Sequence, residues 1–291
     1  MTHQISADHL TIEKIGEIIY NNYKIELSDD ARKRIIKSRE YLDARIAKEE
    51  NPIYGVTTGF GSLCNVSISK DQLSQLQVNL IKSHACGVGE RLPNDIIKMM
   101  LLLKVQSLSY GFSGCKLDTV ERLVDMFNNN IYPVILEQGS LGASGDLVPL
   151  AHMSLPLVGL GEVEMNGEVV SGEEMNRRMN WKPIELASKE GLALLNGTQN
   201  MSAQAVWALL NAQRLSEWAD VIAAMSLDAF DGRIEPFTHA VHAVRPHQGQ
   251  IETAARFRQL LEGSQLIARP KQHVQDPYSF RCVPQVHGTV K

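Results

Sequence analysis

The sequence predicts a mainly α-helical protein with a mixed N-terminal region, a small β-hairpin and then the long helices of a central helical bundle. Three observations predict this class. Apolar residues recur at helical spacing in several segments, an Asn-Gly pair separates two short strand-like runs, and one helical pattern continues from residue 199 to about residue 230. We therefore expect an N-terminal region at residues 1–197 and the start of the bundle at residues 198–291.

Composition and charge indicate a globular chain. Of the 291 residues, 44% are hydrophobic and 21% are charged, and the formal net charge is -4. These values exclude a disordered chain and give no reason to expect nucleic acid or an anionic membrane as a partner. The N-terminus lacks the basic and apolar regions of a signal peptide, and the longest apolar run, residues 147–160, is too short and broken to span a bilayer.

The cysteines fit the same picture. There are four, at positions 64, 86, 115 and 282, and none stands in a CxxC pair. We expect free thiols in a reducing compartment, and hence a cytoplasmic protein.

Helices are predicted in order along the N-terminal region. Residues 10–22 carry isoleucines and a leucine at helical spacing, and a charged helix is expected at about residues 31–48. Residues 69–72 form a capping box that opens the next helix. Two further helices are predicted at residues 94–110 and 118–128, and the first is apolar enough to be buried nearly all round.

The hairpin is the strand structure that the sequence predicts most clearly. Asn166-Gly167 separates residues 162–165 from residues 168–170, and this dipeptide is the strongest signal for a two-residue hairpin turn. A short helix then begins near Ser171, because Ser171 and Glu174 match a capping box.

A glycine-rich stretch, residues 53–61, follows the second predicted helix. Its spacing is neither GxGxxG nor a phosphate-binding P-loop, so a flexible loop is the plain interpretation. Tyr54 stands at its front.

The histidines do not predict a metal site. His84, at a predicted helix end, is of the kind that most often caps a helix or is satisfied locally. His239 and His242 form an HxxH pair near His247, but no carboxylate or cysteine stands at a recognised ligand spacing and Pro246 interrupts the helix. We therefore expect no zinc and no other metal.

Residues 139–150 hold the pattern with the most specific chemistry. Small residues fill positions 139–145 before an apolar, helix-like run begins. One interpretation is a tight turn that feeds a helix capped by Ser144 or Asp146. The other is self-modification, in which the Gly145 nitrogen attacks the Ala143 carbonyl carbon. Loss of two waters, one with the Ser144 hydroxyl, then leaves a methylene conjugated to an imidazolone ring.

This stretch resembles the signature of the ammonia-lyases that build a methylidene-imidazolone (MIO) from an Ala-Ser-Gly triplet. That family includes the histidine, phenylalanine and tyrosine ammonia-lyases and related aminomutases. The resemblance implies that Ala143, Ser144 and Gly145 form the electrophile and that no external cofactor is needed. It also covers the rest of the chain.

The resemblance implies roles for residues outside the triplet. Tyr54 lies at the position of the base that removes the β-proton, and Tyr278 at that of a second catalytic tyrosine. Arg281 matches the arginine that holds the substrate carboxylate, for which a planar guanidinium is suited. Asn196 and Gln275 match neutral hydrogen-bonding residues that orient substrate and electrophile.

The pair Ser83-His84 indicates the substrate. In the family, phenylalanine enzymes look like Phe-Leu at this position, tyrosine enzymes like His-Leu and histidine enzymes like Ser-His. The resemblance therefore implies that His84 contacts an imidazole ring, that L-histidine is the substrate and that urocanate and ammonia are the products. The alternatives within the family are a tyrosine or phenylalanine ammonia-lyase, or an aminomutase.

Family members continue well past residue 291. The chain is therefore expected to be a piece of a longer or split protein, or else catalytically incomplete. The rival from another class is a non-catalytic fragment or partner subunit that only assembles. Family active sites draw residues from neighbouring subunits, so the resemblance implies a homotetramer.

Overall fold

The computed structural model describes residues 1–48, 51–53, 55–58 and 72–291. The predicted base Tyr54, the start of the capping box at Ser69 and the thiol of Cys64 lie outside these residues. Within them the chain is mainly helical, as predicted. The helices are α1 Ile12–Tyr20, α2 Asp29–Lys48, α3 Leu73–His84, α4 Asn94–Ser109, α5 Leu117–Asn128, α6 Leu147–Ser154, α7 Gly172–Met179, α8 Glu190–Leu195, α9 Gln199–Ala229, α10 His239–Ala243, α11 Gln248–Leu260, α12 Gln265–Ala268, α13 Tyr278–Arg281 and α14 Val283–Gly288.

The strands are short and form three small sheets. They are β1 Thr2–Ile5, β2 Lys24–Leu27, β3 Val88–Arg91, β4 Tyr132–Pro133, β5 Leu136–Gln138, β6 Glu162–Met165 and β7 Glu168–Ser171. β1 pairs with β2 in parallel, β3 pairs antiparallel with β5, and β4, β6 and β7 form an antiparallel sheet. Only the β6–β7 hairpin is predicted from the sequence, because the other pairings join strands of two to four residues that are distant in the chain.

The hairpin has the turn geometry that its dipeptide predicts. Asn166 has φ 54° and Gly167 has φ 78°, so both central residues are left-handed, as a type I′ turn requires. The helix predicted after it is α7, and the Ser171 hydroxyl accepts a hydrogen bond from the Glu174 amide at 3.1 Å. Both local predictions are confirmed.

The chain divides into two compact units, Met1–Ala208 and Leu209–Lys291. In the first unit, α4 is central and is buried on nearly all sides, as predicted. Met99, Met100, Leu101 and Leu102 are each 0% exposed. The apolar run that follows position 146 is also buried, and it comprises α6 and a 3-10 turn at Leu155–Val158. Burial of these two elements gives the neighbouring loops a rigid base.

The second unit has its own apolar core. Its centre is the stacked pair Phe237 and Phe257, whose ring centroids are 4.7 Å apart, with Leu227 and Leu261 packed around them. Helix α9 has the length that its sequence pattern predicts, but large apolar side chains on it are exposed in this chain. They include Leu215, Trp218, Ile222 and Met225. Among the helices described, none is both long and apolar enough to cross a membrane.

Candidate active site

The Ala143-Ser144-Gly145 triplet lies on an exposed turn between β5 and α6. Ala143 and Ser144 are exposed, and the Ser144 hydroxyl makes no hydrogen bond within the described residues. Gly142 has φ 82° and Gly145 has φ 84°, a left-handed conformation that favours glycine. The Gly145 amide points back toward the Gly142 carbonyl oxygen, with N and O 3.4 Å apart. The turn therefore presents the triplet outward while its main chain folds back on itself.

Gly145 has a second reason to be glycine. A Cβ atom at this position would lie only 2.2 Å from the Gly197 carbonyl oxygen. This distance is too short for any side chain. The next amide, Asp146 N, donates to that same oxygen at 2.8 Å. The end of the triplet is thus pressed against the loop that precedes α9.

Asp146 fixes the other side of the turn. Its carboxylate is 0% exposed and accepts hydrogen bonds from the Ser140 hydroxyl and the Met201 amide, each at 2.9 Å. Asp146 does occupy the position before α6, but its side chain makes no capping bond there. The expected turn does lead into a helix with Asp146 at the N-cap position, but the buried carboxylate joins the turn to the first residues of α9 and does not cap α6.

Asn196 is exposed at the end of α8, directly before the glycine that meets the triplet. Its side-chain nitrogen Nδ2 donates to the Leu192 carbonyl oxygen at 3.0 Å, which leaves Oδ1 as an outward acceptor. Its own carbonyl oxygen accepts from the Lys104 amine at 3.0 Å. The backbone and the side chain of Asn196 are both held.

Lys104 is a site residue that sequence reasoning misses. It is 0% exposed within α4, and burial lowers the pKa of its amine to about 8. Its signal in the sequence is a lone lysine inside the run Met-Met-Leu-Leu-Leu-Lys-Val. A buried lysine is rare unless its amine has a polar or charged partner. Here the amine donates a hydrogen bond to the backbone carbonyl of Asn196.

Helix α8 is fixed at its start by a second buried charged residue. The Glu190 carboxylate is 0% exposed and accepts from the Thr119 hydroxyl and the Ala187 amide, both at 2.7 Å. The Gly191 amide donates to Oε1 of Gln77, on α3, at 3.0 Å. Because α3 also carries His84, the helix that directly precedes Asn196 is tied to the helix that ends at His84.

His84 is half-buried at the end of α3. Its Nδ1 lies 2.9 Å from the Leu80 carbonyl oxygen and 3.0 Å from the Ser83 hydroxyl oxygen. Since a carbonyl oxygen only accepts, Nδ1 carries the proton, and in the neutral ring Nε2 is an acceptor that no described residue engages. The arrangement can receive an N–H from a ligand ring.

Gln275, Tyr278 and Arg281 come together in the second unit. They line an open cavity of about 560 Å³ with residues that include Arg233, Glu235, Val241 and Gln285. Tyr278 is 71% exposed, and Arg281 is half-buried and forms no ion pair with any described residue. A tyrosine hydroxyl and a guanidinium that line one cavity suit an anionic ligand.

A buried carboxylate anchors the loop that leads into α13. Asp276 is 2% exposed and accepts from the Arg233 amide and from His273 Nε2, both at 2.6 Å. Phe280 stacks on Phe230 with ring centroids 4.7 Å apart. These contacts fix the backbone on either side of Tyr278 while its side chain stays in solvent.

Of the three downstream histidines, His239 and His247 are exposed and His242 is buried in a structural role. His242 is 0% exposed, its Nε2 donates to the Pro236 carbonyl oxygen at 2.9 Å and its Nδ1 accepts from Gln250 at 2.8 Å. Both ring nitrogens are therefore used. Across the described ranges, no group of three or more His, Cys, Asp or Glu side chains is placed to hold a metal ion.

The predicted residues therefore fall into two described groups. In the first unit the triplet touches Gly197, beside Asn196, and α8 connects Asn196 to the helix that carries His84. In the second unit Gln275, Tyr278 and Arg281 share one cavity. The predicted role of Tyr54 concerns a residue outside the described ranges.

Comparison with known proteins gives consistent matches along the chain. Histidine ammonia-lyase of Caldanaerobacter subterraneus is 49% identical over 288 residues, which cover 99% of this chain and 56% of that protein. The crystal structure of histidine ammonia-lyase from Trypanosoma cruzi matches with 38% identity and a TM-score of 0.88, over 99% of this chain and 54% of the other. Tyrosine aminomutase from Streptomyces globisporus matches with 32% identity and a TM-score of 0.90, over 100% of this chain and 58% of that one.

The chain thus spans little more than half the length of these relatives. The model of the family described as aromatic amino acid lyase matches residues 10–291, nearly the whole sequence. The chain belongs to the aromatic amino acid lyase family.

Proposed function

We propose that the protein is a carbon–nitrogen lyase that eliminates ammonia from L-histidine to give trans-urocanate, with an electrophile made from Ala143-Ser144-Gly145. The observation that carries the proposal is the turn at residues 142–145. An exposed Ala-Ser pair is followed by a glycine whose place against Gly197 leaves no room for a side chain. Relatives named histidine ammonia-lyase at 44% to 49% identity support the choice of reaction.

The residues present fit the formation of an MIO. The nitrogen that must attack belongs to a glycine, and the central residue is a serine whose hydroxyl is exposed, so water can leave. Two left-handed glycines and a buried carboxylate hold the turn on both sides of the triplet. A main chain held in this way has already lost much of the conformational entropy that opposes ring closure.

The reaction needs an electrophile and a base. Elimination breaks the C–N bond and a C–H bond at the β-carbon, forms a C=C bond and releases ammonia. The MIO, once formed, supplies the electrophile that ordinary side chains lack. Asn196 offers its Oδ1 acceptor beside the triplet, where it can orient an N–H of the substrate amine.

We assign the β-proton to Tyr54 on family resemblance. An unperturbed tyrosine has a pKa of about 10, so forming the phenolate at neutral pH costs about 4 kcal/mol and requires local stabilisation. Tyr278 is assigned to proton transfer toward the leaving amine, Arg281 to the substrate carboxylate and Gln275 to a polar contact with substrate. Their shared cavity, with an unpaired guanidinium among the described residues, supports binding of a carboxylate.

Ring selection is assigned to His84. With Nδ1 committed to Leu80, its Nε2 accepts a hydrogen bond from a substrate imidazole N–H, which a phenyl ring cannot donate. A site built for such a bond rejects a ring that lacks the donor.

Assembly as a homotetramer is part of the proposal. Exposed Leu215, Trp218 and Met225 on α9, at 70%, 55% and 67% exposure, form an apolar surface of the kind that subunit contacts cover. We propose that neighbouring subunits contribute to each active site.

The test uses the protein encoded by the complete gene. L-histidine, L-tyrosine and L-phenylalanine are assayed side by side, and ammonia and the unsaturated acid are both measured. We expect turnover of L-histidine and an intact mass lower than the sequence mass by two waters. Turnover of L-tyrosine or L-phenylalanine but not of L-histidine would contradict the substrate assignment. A mass equal to the sequence mass, together with no turnover, would instead favour a non-catalytic subunit that only assembles.

A further inference from the structure

A hydrogen bond joins the segment that carries His84 to the helix that follows the triplet. The Gly87 amide, between His84 and β3, donates to Nε2 of His152 at 3.0 Å. His152 is half-buried on α6, which begins two residues after Gly145. Neither residue has a role in the proposed reaction.

The contact is surrounded by close packing. A Cβ atom at Gly87 would lie 3.0 Å from His152 Nε2 and 3.3 Å from both the Gln138 carbonyl oxygen and Val148 Cγ1. These neighbours belong to α6 and to β5, the strand that leads into the triplet. Three chain segments therefore meet at Gly87.

A second glycine, Gly139, lies at the same contact, on the segment that leads into the triplet. Gly139 has φ 145°, and a Cβ atom there would lie 2.6 Å from Val148 Cγ1 and 3.3 Å from the Gly87 Cα. The backbones at positions 87 and 139 therefore approach as closely as only glycines allow. The spacing between the His84 segment and the start of the triplet turn is set at this junction.

The chemistry of the His152 ring matches an acceptor role. Because an N–H points at Nε2, that nitrogen holds its lone pair, and the proton of the neutral ring lies on Nδ1. Burial lowers the pKa of His152, which favours this neutral form. A leucine of similar size would fill the space but leave the Gly87 amide unpaired.

We propose that His152 is a positioning residue that fixes the distance between His84 and the Ala143-Ser144-Gly145 turn, and so determines how the substrate ring is held. The inference rests on the proposed function, since it assumes that His84 meets the ring and that the triplet meets the amine. An amino acid bound at both ends is sensitive to the separation of the two contacts. The His152 bond holds the His84 end through the main chain, at the Gly87 amide.

The experiment compares His152→Leu with His152→Gln in the protein from its complete gene. Gln places an acceptor oxygen at about the reach of Nε2, whereas Leu offers none. We expect Leu to raise KM for L-histidine about tenfold and to change kcat by less than about threefold, as loss of one hydrogen bond that orders a binding segment predicts. Gln is expected to restore KM to within about threefold of the parent.

Two further measurements separate positioning from general damage. Hydrogen exchange at the Gly87 amide is expected to become faster in His152→Leu and to stay protected in His152→Gln. Intact mass is expected to show the loss of two waters in both variants. Unchanged KM and exchange with Leu, or equal losses with Leu and Gln, would overturn the proposal.

A second variant covers the case in which His152→Leu does not fold. Gly87→Ala keeps the imidazole but pushes a methyl group toward Val148 and the Gln138 carbonyl, so the same rise in KM is expected with the mass change intact. An unchanged KM in that variant contradicts the proposal. If the parent protein shows no mass change and no urocanate, the proposed function fails instead, and Gly87 exchange still tests the contact.

Discussion

Two regions hold their predicted site residues in opposite ways: the turn at residues 139–146, and the segment at residues 275–281, in which a loop leads into the single turn of α13 and which is called the loop below. In the turn the main chain is fixed, by Gly145 against Gly197 and by the buried carboxylate of Asp146. In the loop the backbone is anchored by Asp276, but the side chains of Tyr278 and Arg281 project into an open cavity.

The difference follows from what each region is proposed to do. A chain that must react with its own peptide bonds needs backbone atoms at set positions, and only buried contacts and glycines can provide them. A loop that binds and releases a substrate needs side chains that move between rotamers, at a modest entropic cost for each. Substitutions should therefore act through main-chain geometry in the turn and through affinity in the loop.

The largest effect is expected from Ser144→Ala. It removes the hydroxyl that leaves during ring formation, so turnover should fall at least about a thousandfold, the scale of losing a principal catalytic group. The intact mass should equal the sequence mass, while thermal unfolding stays close to the parent. Ser74→Ala, at an exposed position near the start of α3, is the matched control. Unchanged turnover in Ser144→Ala would falsify the electrophile role.

Gly145→Ala tests whether the turn depends on main-chain contact. The new methyl group would meet the Gly197 carbonyl oxygen at 2.2 Å, so we expect a stability loss of about 3 kcal/mol or more, measured by urea unfolding. Gly167→Ala is the control, because Gly167 is also left-handed at φ 78° but has nothing within 4 Å of its Cβ position. Its loss should be about 1 to 2 kcal/mol, from backbone strain alone. Equal losses would remove the close contact from the explanation.

The variant Lys104→Met is expected to change how the free energy of unfolding depends on pH. Burial lowers the pKa of Lys104 to about 8, and the thiol of Cys115, which interacts with it electrostatically, stays uncharged because burial raises its pKa to about 12. An unfolded lysine titrates near pH 10.4, so between about pH 8 and pH 10 the unfolded chain binds more protons than the folded one. Stability should therefore rise with pH in that window, by about 1 to 3 kcal/mol.

The variant should lose this rise, and urea unfolding at several pH values measures it. Lys37→Met, which replaces an exposed lysine, is the control and should keep the rise. A slope that persists in Lys104→Met would mean that another group produces it.

The smallest effect is expected from Arg281→Lys in the loop. Lysine keeps the charge but loses the two-pronged geometry, so KM for L-histidine should rise about tenfold with little change in stability. Arg245→Lys, at an exposed position that does not line the cavity, is the control. A loss of stability without a change in KM would show that Arg281 supports the loop and does not bind substrate.

How much the sequence predicts depends on the distance between interacting residues. Helix α4 and the Asn166-Gly167 hairpin are predicted because their signals are local, in apolar spacing and turn chemistry. The triplet is found because its three residues are adjacent and carry their own chemistry. The contacts of Lys104 with Asn196 and of Gly87 with His152 join residues 92 and 65 positions apart, and no local pattern records such a pairing.

The same limit applies to polar residues with two plausible roles. Asp146 precedes a helix, so a cap is the natural expectation, yet its partners come from Ser140 and Met201. The parallel pairing of β1 with β2 is missed because each strand has only four residues and α1 intervenes. The partners in both cases depend on which parts of the chain pack against each other, and a local sequence pattern does not record this packing.

The close packing at Gly197 has a consequence for how this protein can change over generations. The carbonyl oxygen of Gly197 fills the space a side chain on Gly145 would need, and Gln199 Oε1 lies 2.2 Å from where a Cβ of Gly197 would be. The two conflicts differ in kind, because the end of a glutamine side chain can rotate away, whereas a backbone carbonyl cannot. A substitution at residue 197 can therefore be relieved by movement of Gln199, while residue 145 stays glycine for as long as the Gly197 backbone keeps its place.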